Sequence, residues 1–233
     1  MTAVCAIVVA AGLGERLGAT GAGLPKALVR LDGTSLLEHA VRRLAAAGIE
    51  AQVVVHTPGH RDRFAEQVEA VGTDITFVAG GASRSASVRA GFAAIGAATD
   101  VVAIHDAARC LTPTDVIART IAAVAGDVVA AAPGRPVPDT LKRVVEGEVT
   151  DTLPRDGVWT IQTPQVVRYD VLEATLTHAD GRDATDDLAL VEDAIAAGVI
   201  SGRIRVVAGD ARALKITEPS DLEIARDLLA ADR

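Results

Sequence analysis

Residues 3–18, AVCAIVVAAGLGERLG, decide the fold of this chain. The run over 3–11 is continuously apolar and rich in β-branched side chains, which is typical of a strand buried on both faces of a parallel sheet. It ends in a loop with three glycines, Gly12, Gly14 and Gly18. Glycine lets a backbone turn tightly and approach a ligand closely, and the small Ala10 and Ala11 leave backbone N–H groups free to face an anion. The stretch therefore predicts a strand followed by an anion-binding loop.

Two cations accompany this loop, because Arg16 lies inside it and Lys26 follows the small-residue segment GATGAGLP. A P-loop would place a lysine directly after a glycine, which does not occur here. A dinucleotide-binding G-x-G-x-x-G loop would need a last gap one residue shorter, which argues against a nicotinamide enzyme. Three glycines fit a plain tight turn about as well as a phosphate site, and the two cations favour the phosphate site.

The rest of the chain alternates between apolar segments of strand length and amphipathic segments of helix length. The predicted order is a helix over 35–47, a strand over 52–56, a helix over 61–71, a strand over 75–79, a helix over 85–95, a strand over 100–105, a strand–helix exchange over 113–132, a helix from Thr185 or Asp186, strands over 204–208 and 213–217, and a helix over 218–231. Ser35 is the expected N-cap of the first helix. Such alternation predicts one α/β domain over residues 1–233, with a Rossmann-like, mainly parallel sheet flanked by helices.

Ligands of such sheets bind beyond the carboxyl ends of the strands, and three of these ends carry distinctive residues. The first is the glycine loop. The second is GGASRSAS, where Gly80 and Gly81 expose backbone and Ser87 lies near the start of a helix. The third is HDAAR, where Asp106 ends a strand and could hold Mg²⁺ through oxygen or cap the next turn, and where Arg109 follows. Three such loops converging on one rim favour a nucleotide pocket.

The alternation breaks in the middle of the chain. Two short β-like runs, 140–145 and 149–153, flank Glu146-Gly147, which predicts a hairpin with a glycine-containing turn. The runs carry charged side chains and cannot be buried on both faces. We expect a protruding β-arm over about 134–157, which is either a surface excursion or an edge that pairs with another subunit.

Two later segments carry charges near predicted strands and helices. Lys215 interrupts the apolar run 213–217, where an unpaired ammonium would be costly, so a bound phosphate is its expected partner. Asp186 and Asp187 start a helix, and capping together with the helix dipole explains them more simply than a second carboxylate site near a metal.

Composition limits the function classes. The net charge of −8 and an aromatic content of 2% lack the cationic surface and the stacking platforms of a nucleic-acid binder. No apolar run approaches the length of about 20 residues that spans a bilayer, and the first residues lack the positive segment of a signal peptide.

Cys5 and Cys110 are expected as buried free thiols in a reducing cytoplasm. His56 and His60 are expected at the surface rather than as a metal pair.

These motifs together resemble the 2-C-methyl-D-erythritol 4-phosphate cytidylyltransferase family, nucleotidyltransferases of the non-mevalonate isoprenoid pathway. The resemblance runs almost end to end through AAGLGER, PK, GGASRSAS, HDAAR, DTLKR, PRDG, QTPQ, TDD and LKIT. It implies transfer of CMP from CTP to methylerythritol phosphate with release of pyrophosphate. It also implies a requirement for Mg²⁺ and a homodimer whose β-arms cross.

The resemblance implies a role for each matching residue. Catalysis would fall to Arg16, Lys26, Arg155 and Lys215, with Arg16 and Lys26 on the triphosphate. The nucleotide would be bound by Ala10, Ala11, Gly12, Gly14, Gly80, Gly81, Ser87, Asp106 and Ala107, and Mg²⁺ by Asp106. The methylerythritol phosphate would be held by Arg109, Thr140, Arg155, Thr163 and Lys215. Of these, Thr140 and Arg155 would serve the neighbouring subunit's site.

Two other functions stay open from the sequence. Another polyol phosphate, such as ribitol 5-phosphate, could be the acceptor, or the chain could be a noncatalytic nucleotide-binding regulator. The sequence shows no Ser-His-Asp or Cys-His set, and a phosphate nucleophile needs none, since its second pKa of about 6 leaves it mostly ionised. Residues that depart from the family pattern are expected near the pocket, namely Val9, Ala82, Cys110, Val166, Val167 and Leu188.

Overall fold

The computed structural model describes residues 2–14, 16–17, 24–96 and 98–232, so that Gly18 and most of the segment leading to Lys26 lie outside the described residues. The strands are β1 (Val4–Val9), β2 (Arg30–Leu31), β3 (Thr34–Ser35), β4 (Ala51–His56), β5 (Asp74–Ala79), β6 (Val101–Asp106), β7 (Val128–Pro136), β8 (Leu141–Val145), β9 (Glu148–Leu153), β10 (Trp159–Ile161), β11 (Gln165–Arg168) and β12 (Arg203–Ala208). The α-helices are α1 (Leu36–Ala46), α2 (Arg61–Val68), α3 (Arg84–Phe92), α4 (Thr114–Ala123), α5 (Tyr169–Ala179), α6 (Asp187–Ala196) and α7 (Pro219–Ala231). None of the helices in the described ranges is both long and apolar enough to cross a membrane.

One mixed sheet has the order β10-β7-β11-β6-β1-β4-β5, and β12 pairs with β7. Strands β6, β1, β4 and β5 are parallel to their neighbours in this series. Strand β11 runs antiparallel between β6 and β7, β10 is antiparallel to β7, and β12 is parallel to it. The predicted mainly parallel α/β sheet is therefore confirmed, while the antiparallel strands were not predicted.

Strand β1, at the centre of the sheet, is buried on both faces, and its side chains alternate between two cores. Ile7 packs in a cluster with residues of α3, α5 and α6, and its neighbour Val8 packs in another with residues of α1, α2 and α4. A third cluster joins Leu17 of the glycine loop to Ile216 and to Leu222 of α7. Burying a side chain of this size is worth about 1.5–3 kcal/mol, so α7 anchors the loop to the body of the protein.

The strand register brings the carboxyl ends of four strands into line. Val9, the last residue of β1, lies opposite Val55 of β4 and opposite Asp106 of β6. On the far side of β4, His56 lies opposite Ala79. The loops that follow β1, β4, β5 and β6 therefore meet at one rim, as the sequence predicts.

Several local predictions are confirmed. Ser35 caps α1, and its hydroxyl accepts a hydrogen bond from the Glu38 N–H at 3.1 Å. The predicted hairpin forms as β8 and β9, with positive φ angles at Glu146 and Gly147 in its turn. Both cysteines are buried free thiols, and burial raises the pKa of Cys5 to about 11 and that of Cys110 to about 12.

Other local predictions are wrong. The segment 213–217 is not a strand. It begins with the last residue of a 3₁₀ turn, Ala211–Ala213. At its other end, the Thr217 N–H donates to Asp221 in the first turn of α7 at 2.7 Å. His56 is buried rather than exposed, with its ring 5.9 Å from that of Phe64. Helix α5 was not predicted, since it begins at Tyr169 without a side-chain cap.

Candidate active site

The rim of the sheet encloses a cavity of about 720 Å³. Most of the residues predicted for the nucleotide and its phosphates line it, namely Ala10, Ala11, Gly12, Gly14, Arg16, Lys26, Gly81, Ser87, Asp106 and Ala107. Lys215, which was predicted to act in catalysis and to hold the acceptor, lines it as well. Ligand pockets commonly have volumes of about 300–1,000 Å³. The cavity therefore brings together residues that are far apart in the chain.

The glycine loop fixes Lys26 through backbone and side-chain contacts. The Lys26 N–H donates to the Gly12 carbonyl at 3.1 Å. Gly14 has φ +70°, and a Cβ at this position would lie 2.7 Å from the Lys26 Cβ. A left-handed φ favours glycine, so this glycine is needed both for the turn and for the approach of Lys26.

The cations of the cavity influence one another. Burial, followed by the neighbouring Lys215 ammonium, lowers the pKa of Lys26 to about 8. Lys215 has its own counter-ion, since its Nζ lies 2.8 Å from Oδ2 of Asp106. The partner predicted for Lys215 was a bound phosphate, and in the structure this place is taken by Asp106. A polyanion entering the cavity would meet Arg16, Lys26 and this paired lysine.

Asp106 is the central carboxylate of the rim. Its Oδ1 accepts from Arg84 Nε at 3.2 Å, and its Oδ2 pairs with Lys215. Burial by itself would raise the pKa of Asp106, but Arg84 and Lys215 hold it well below its usual value. The carboxylate is therefore ionised at neutral pH, and two cations share its charge.

The loop after β5 packs closely against the loop after β1. Gly80 does not line the cavity, and a Cβ on it would lie 2.3 Å from the Cβ of Ala11. The Ser87 hydroxyl accepts from the Gly81 N–H at 3.1 Å and donates to the Ser83 carbonyl at 2.9 Å. Gly80 thus contributes by letting Ala11 approach, while Gly81 and Ser87 form cavity wall.

A second cavity of about 220 Å³ adjoins the first. The two cavities share Arg84, Asp106 and Lys215 as lining residues. The predicted acceptor residues Arg109 and Thr163 line only the smaller of these two cavities.

Thr163 and Arg109 are held in place by the body of the protein. The Thr163 hydroxyl accepts from the Asp106 N–H at 3.1 Å and lies 3.0 Å from Nδ1 of the buried His105. Arg109 donates to the carbonyls of Ala213 at 2.7 Å and Ile161 at 3.3 Å. Side chains fixed in this way are suited to hold a second ligand beside the first.

The remaining predicted residues, Thr140 and Arg155, line neither cavity. They flank the hairpin, with Thr140 just before β8 and Arg155 shortly after β9, and Arg155 donates to the Pro138 carbonyl. Both are exposed.

Arg84 is a site residue that sequence reasoning missed. It lies within GGASRSAS, a motif whose glycines and Ser87 carry the prediction of nucleotide binding. Arg84 Nη2 lies 2.8 Å from Oδ2 of Asp187, so the guanidinium joins two carboxylates, Asp187 and Asp106. The available signal was an arginine at the start of a helix, next to a predicted ligand rim.

The departures from the family pattern divide into two groups. Val9 and Ala82 line the larger cavity. The others line neither cavity and are buried in the cores, namely Cys110, Val166, Val167 and Leu188. Val166 and Val167 alternate between the two faces of β11, so that their side chains pack into the two cores of the sheet.

The donor set for a metal is small. Within the described residues, no three acidic, histidine or cysteine side chains come together as a metal site. Mg²⁺ is usually held by one or two carboxylates together with substrate phosphates. Asp106 fits such a site, provided that a nucleotide supplies the remaining oxygens.

A nucleotide-sized cavity at the carboxyl rim of a mainly parallel sheet, walled by cations and one buried carboxylate, defines an α/β protein suited to phosphoryl transfer. The comparisons with known proteins make the class specific. The chain belongs to the 2-C-methyl-D-erythritol 4-phosphate cytidylyltransferase (IspD) family, whose model matches residues 4–231. This is a family of nucleotidyltransferases, so the predicted family and enzyme class are confirmed.

Individual relatives support this assignment. The chain is 40% identical to the 2-C-methyl-D-erythritol 4-phosphate cytidylyltransferase of Chromobacterium violaceum, over 97% of each chain. It is 43% identical to the bifunctional enzyme IspD/IspF of Clavibacter michiganensis, where it spans 97% of its own length and 54% of that protein. The crystal structure of the cytidylyltransferase from Thermus thermophilus superposes with a TM-score of 0.78 at 32% identity, covering 99% of this chain and 100% of that one.

Proposed function

We propose that the two adjoining cavities carry out the reaction of the family, the transfer of CMP from CTP to 2-C-methyl-D-erythritol 4-phosphate. The observation that carries this proposal is the shared wall of Arg84, Asp106 and Lys215 between a larger and a smaller cavity. Two substrates bound on either side of this wall would have their phosphates adjacent. Holding reactants in this way can supply about 7–11 kcal/mol of a barrier.

The larger cavity takes CTP. The Ala10-Ala11-Gly12 backbone, Gly81 and Ser87 surround the nucleoside, and Asp106 and Ala107 lie near the ribose. Arg16 and Lys26 hold the triphosphate and stabilise the charge that develops on the leaving pyrophosphate. Their presence in the wall of one cavity supports this assignment.

The smaller cavity takes the methylerythritol phosphate, with Arg109, Thr163 and Lys215 as its partners. An oxygen of its phosphate attacks the α-phosphorus of CTP, and a new P–O bond forms. The bond from the α-phosphorus to the bridging oxygen breaks, and pyrophosphate leaves with the electron pair. The nucleophile is already ionised at neutral pH, so no side chain is needed as a base.

Mg²⁺ would be held by Asp106 together with the phosphates of CTP. It would neutralise charge on the triphosphate, as divalent ions do in phosphoryl transfer. The pairing of Asp106 with Arg84 and Lys215 predicts weak metal binding without nucleotide, because two cations already share its charge.

The hairpin supplies the remaining residues from a second copy of the chain. Thr140 and Arg155 line neither of these two cavities, and the hairpin exposes Val144, Val145 and Val149. These features support a homodimer in which each hairpin completes the partner's acceptor site. The two buried thiols support a reducing, cytoplasmic location.

The test is a pyrophosphate-release assay. CTP, ATP, GTP and UTP are each supplied with 2-C-methyl-D-erythritol 4-phosphate or ribitol 5-phosphate, with Mg²⁺ or with EDTA. We expect release only with CTP, methylerythritol phosphate and Mg²⁺. Faster pyrophosphate release with ribitol 5-phosphate would show that ribitol 5-phosphate is the preferred acceptor. Binding of CTP without pyrophosphate release in the presence of either acceptor would indicate a noncatalytic regulator.

A further inference from the structure

A line of alternating charges runs from helix α6 to the wall between the cavities. Asp187 pairs with Arg84 at 2.8 Å, Arg84 pairs with Asp106 at 3.2 Å, and Asp106 pairs with Lys215 at 2.8 Å. Two acidic side chains and two cations therefore follow one another. Burial raises the pKa of Asp187, and the Arg84 guanidinium beside it favours the ionised form. Asp187 lies at the inner end, with only 2% of its surface exposed.

The carboxylate of Asp187 is not needed to begin its helix. Asp186 is the N-cap of α6, and its Oδ1 accepts from the Ala189 N–H at 2.9 Å. The Asp187 and Leu188 N–H groups both donate to Oε1 of Gln165, at 2.8 and 3.1 Å. The first turn is thus satisfied by Asp186 and Gln165. A buried carboxylate that has no capping task and faces an arginine needs another explanation.

The geometry of Arg84 supplies that explanation. Its Nη2 contacts Asp187 while its Nε contacts a single oxygen of Asp106, which leaves the other oxygen to Lys215. Arginine and carboxylate groups prefer a bidentate pair in which two nitrogens meet two oxygens. Without Asp187, the guanidinium would be free to turn and occupy both oxygens of Asp106, and Lys215 would lose its counter-ion.

We propose that Asp187 is a positioning residue, which restrains Arg84 so that Asp106 remains paired with Lys215 at the junction of the two cavities. The residue does not line either cavity and acts through Arg84. This inference rests on the proposed function, because the junction matters only if two substrates meet there.

A double-mutant cycle tests the proposal. Asp187→Asn is made in the wild-type and in a Lys215→Met background, and Glu192→Gln, on an exposed position of the same helix, is the control in both. In the wild-type background, we expect Asp187→Asn to lower kcat by about 10–100-fold, the usual cost of a displaced reacting group. The KM for CTP should change little, because Arg16 and Lys26 lie outside this line of charges.

In the Lys215→Met background, the effect of Asp187→Asn should shrink to less than about threefold, because the contact that Asp187 protects is already gone. Kinetics are measured at a temperature where circular dichroism shows every variant to be folded. A merely structural carboxylate would give the same loss in both backgrounds, and this result would overturn the proposal. Wild-type kcat in Asp187→Asn would overturn it as well.

A second variant keeps the test decisive if Asp187→Asn does not fold. Arg84→Lys retains the positive charge but offers one nitrogen, which cannot contact both carboxylates as the guanidinium does. Arg84→Lys should lower kcat by about 10–100-fold in the wild-type background and by less than about threefold in the Lys215→Met background. Equal losses of kcat in the two backgrounds would overturn the proposal. If the wild-type chain itself releases no pyrophosphate, the proposed function fails. If the wild type is active but the effects of the two substitutions on kcat are independent, only the role of Asp187 fails.

Discussion

The rim of the sheet and the β8–β9 hairpin carry similar side chains in opposite settings. At the rim, Lys26, Asp106 and Lys215 are fixed by loops and ion pairs around a cavity. At the hairpin, Thr140 and Arg155 flank strands whose residues are nearly all exposed, and they line neither of the two cavities at the rim. The comparison teaches that one chain forms the rim cavity by itself, whereas the role proposed for the hairpin residues requires a surface that their own cavities do not supply.

The largest effect should come from removing a rim cation. Lys26→Ala and, separately, Arg16→Ala should each lower kcat by about 10²–10³, since the loss of a charge-stabilising donor costs about 2.7–4 kcal/mol of barrier. The pyrophosphate-release assay measures this loss, and circular dichroism should show a normal fold.

Arg42→Ala is the matched control, because it removes an exposed arginine of α1 that pairs with Glu38. Its kcat should remain at the wild-type value. Unchanged turnover in Lys26→Ala or Arg16→Ala would remove that residue from the proposed mechanism. The rim cations would then matter no more for turnover than the control arginine.

The hairpin gives the next effect. Arg155→Ala should lower kcat/KM for the methylerythritol phosphate by about 10²-fold, as expected for a charge-assisted contact to a phosphate. Lys215→Ala should be similarly impaired. If each hairpin serves the other subunit, unfolding and refolding the two inactive variants together should restore about a quarter of wild-type activity, because half of the dimers are mixed and each has one intact site.

Refolding each variant alone is the control for this mixing experiment and should restore nothing. A mixture that stays inactive, although size-exclusion chromatography shows dimers, would mean that Arg155 serves its own chain. The hairpin and the rim would then belong to one self-contained site.

How much of this comparison the sequence predicts depends on the kind of signal. The parallel strands β1, β4, β5 and β6 and the rim loops after them were predictable, because apolar runs end near glycines or at Asp106 and because parallel strands bring their carboxyl ends together. The pairing of Lys215 with Asp106 and the bridge by Arg84 were not, since no local pattern states which distant charges meet. Asp186 was one of the two predicted caps of α6 and is the cap observed. Asp187 was explained by capping and the helix dipole, and no local pattern indicated that it pairs with Arg84.

A smaller effect should follow from the contact between Gly14 and Lys26. Gly14→Ala places a Cβ 2.7 Å from the Lys26 Cβ and strains a backbone at φ +70°. We expect kcat/KM for CTP to fall about tenfold, through displacement of Lys26. Gly33→Ala is the control, because its φ is +82° and a Cβ there meets no atom within 4 Å. Both variants should lose about 1 kcal/mol of stability, and an equal loss of kcat/KM in both would refute the role assigned to this contact.

The smallest effect is a pH dependence that belongs to the rim alone. The pKa of Lys26 is lowered to about 8, so its ammonium is largely present below pH 8 and is lost as the pH rises through this value. The kcat/KM for CTP reports the free enzyme and should therefore fall above about pH 8. Lys26→Arg keeps its charge over this range and should lose the descending limb even if its turnover is lower. The methylerythritol phosphate is fully ionised above pH 8 and contributes no fall there. If kcat/KM for CTP still falls above pH 8 in Lys26→Arg, another group is responsible for the fall. The charge of Lys26 would then not control the reaction with CTP.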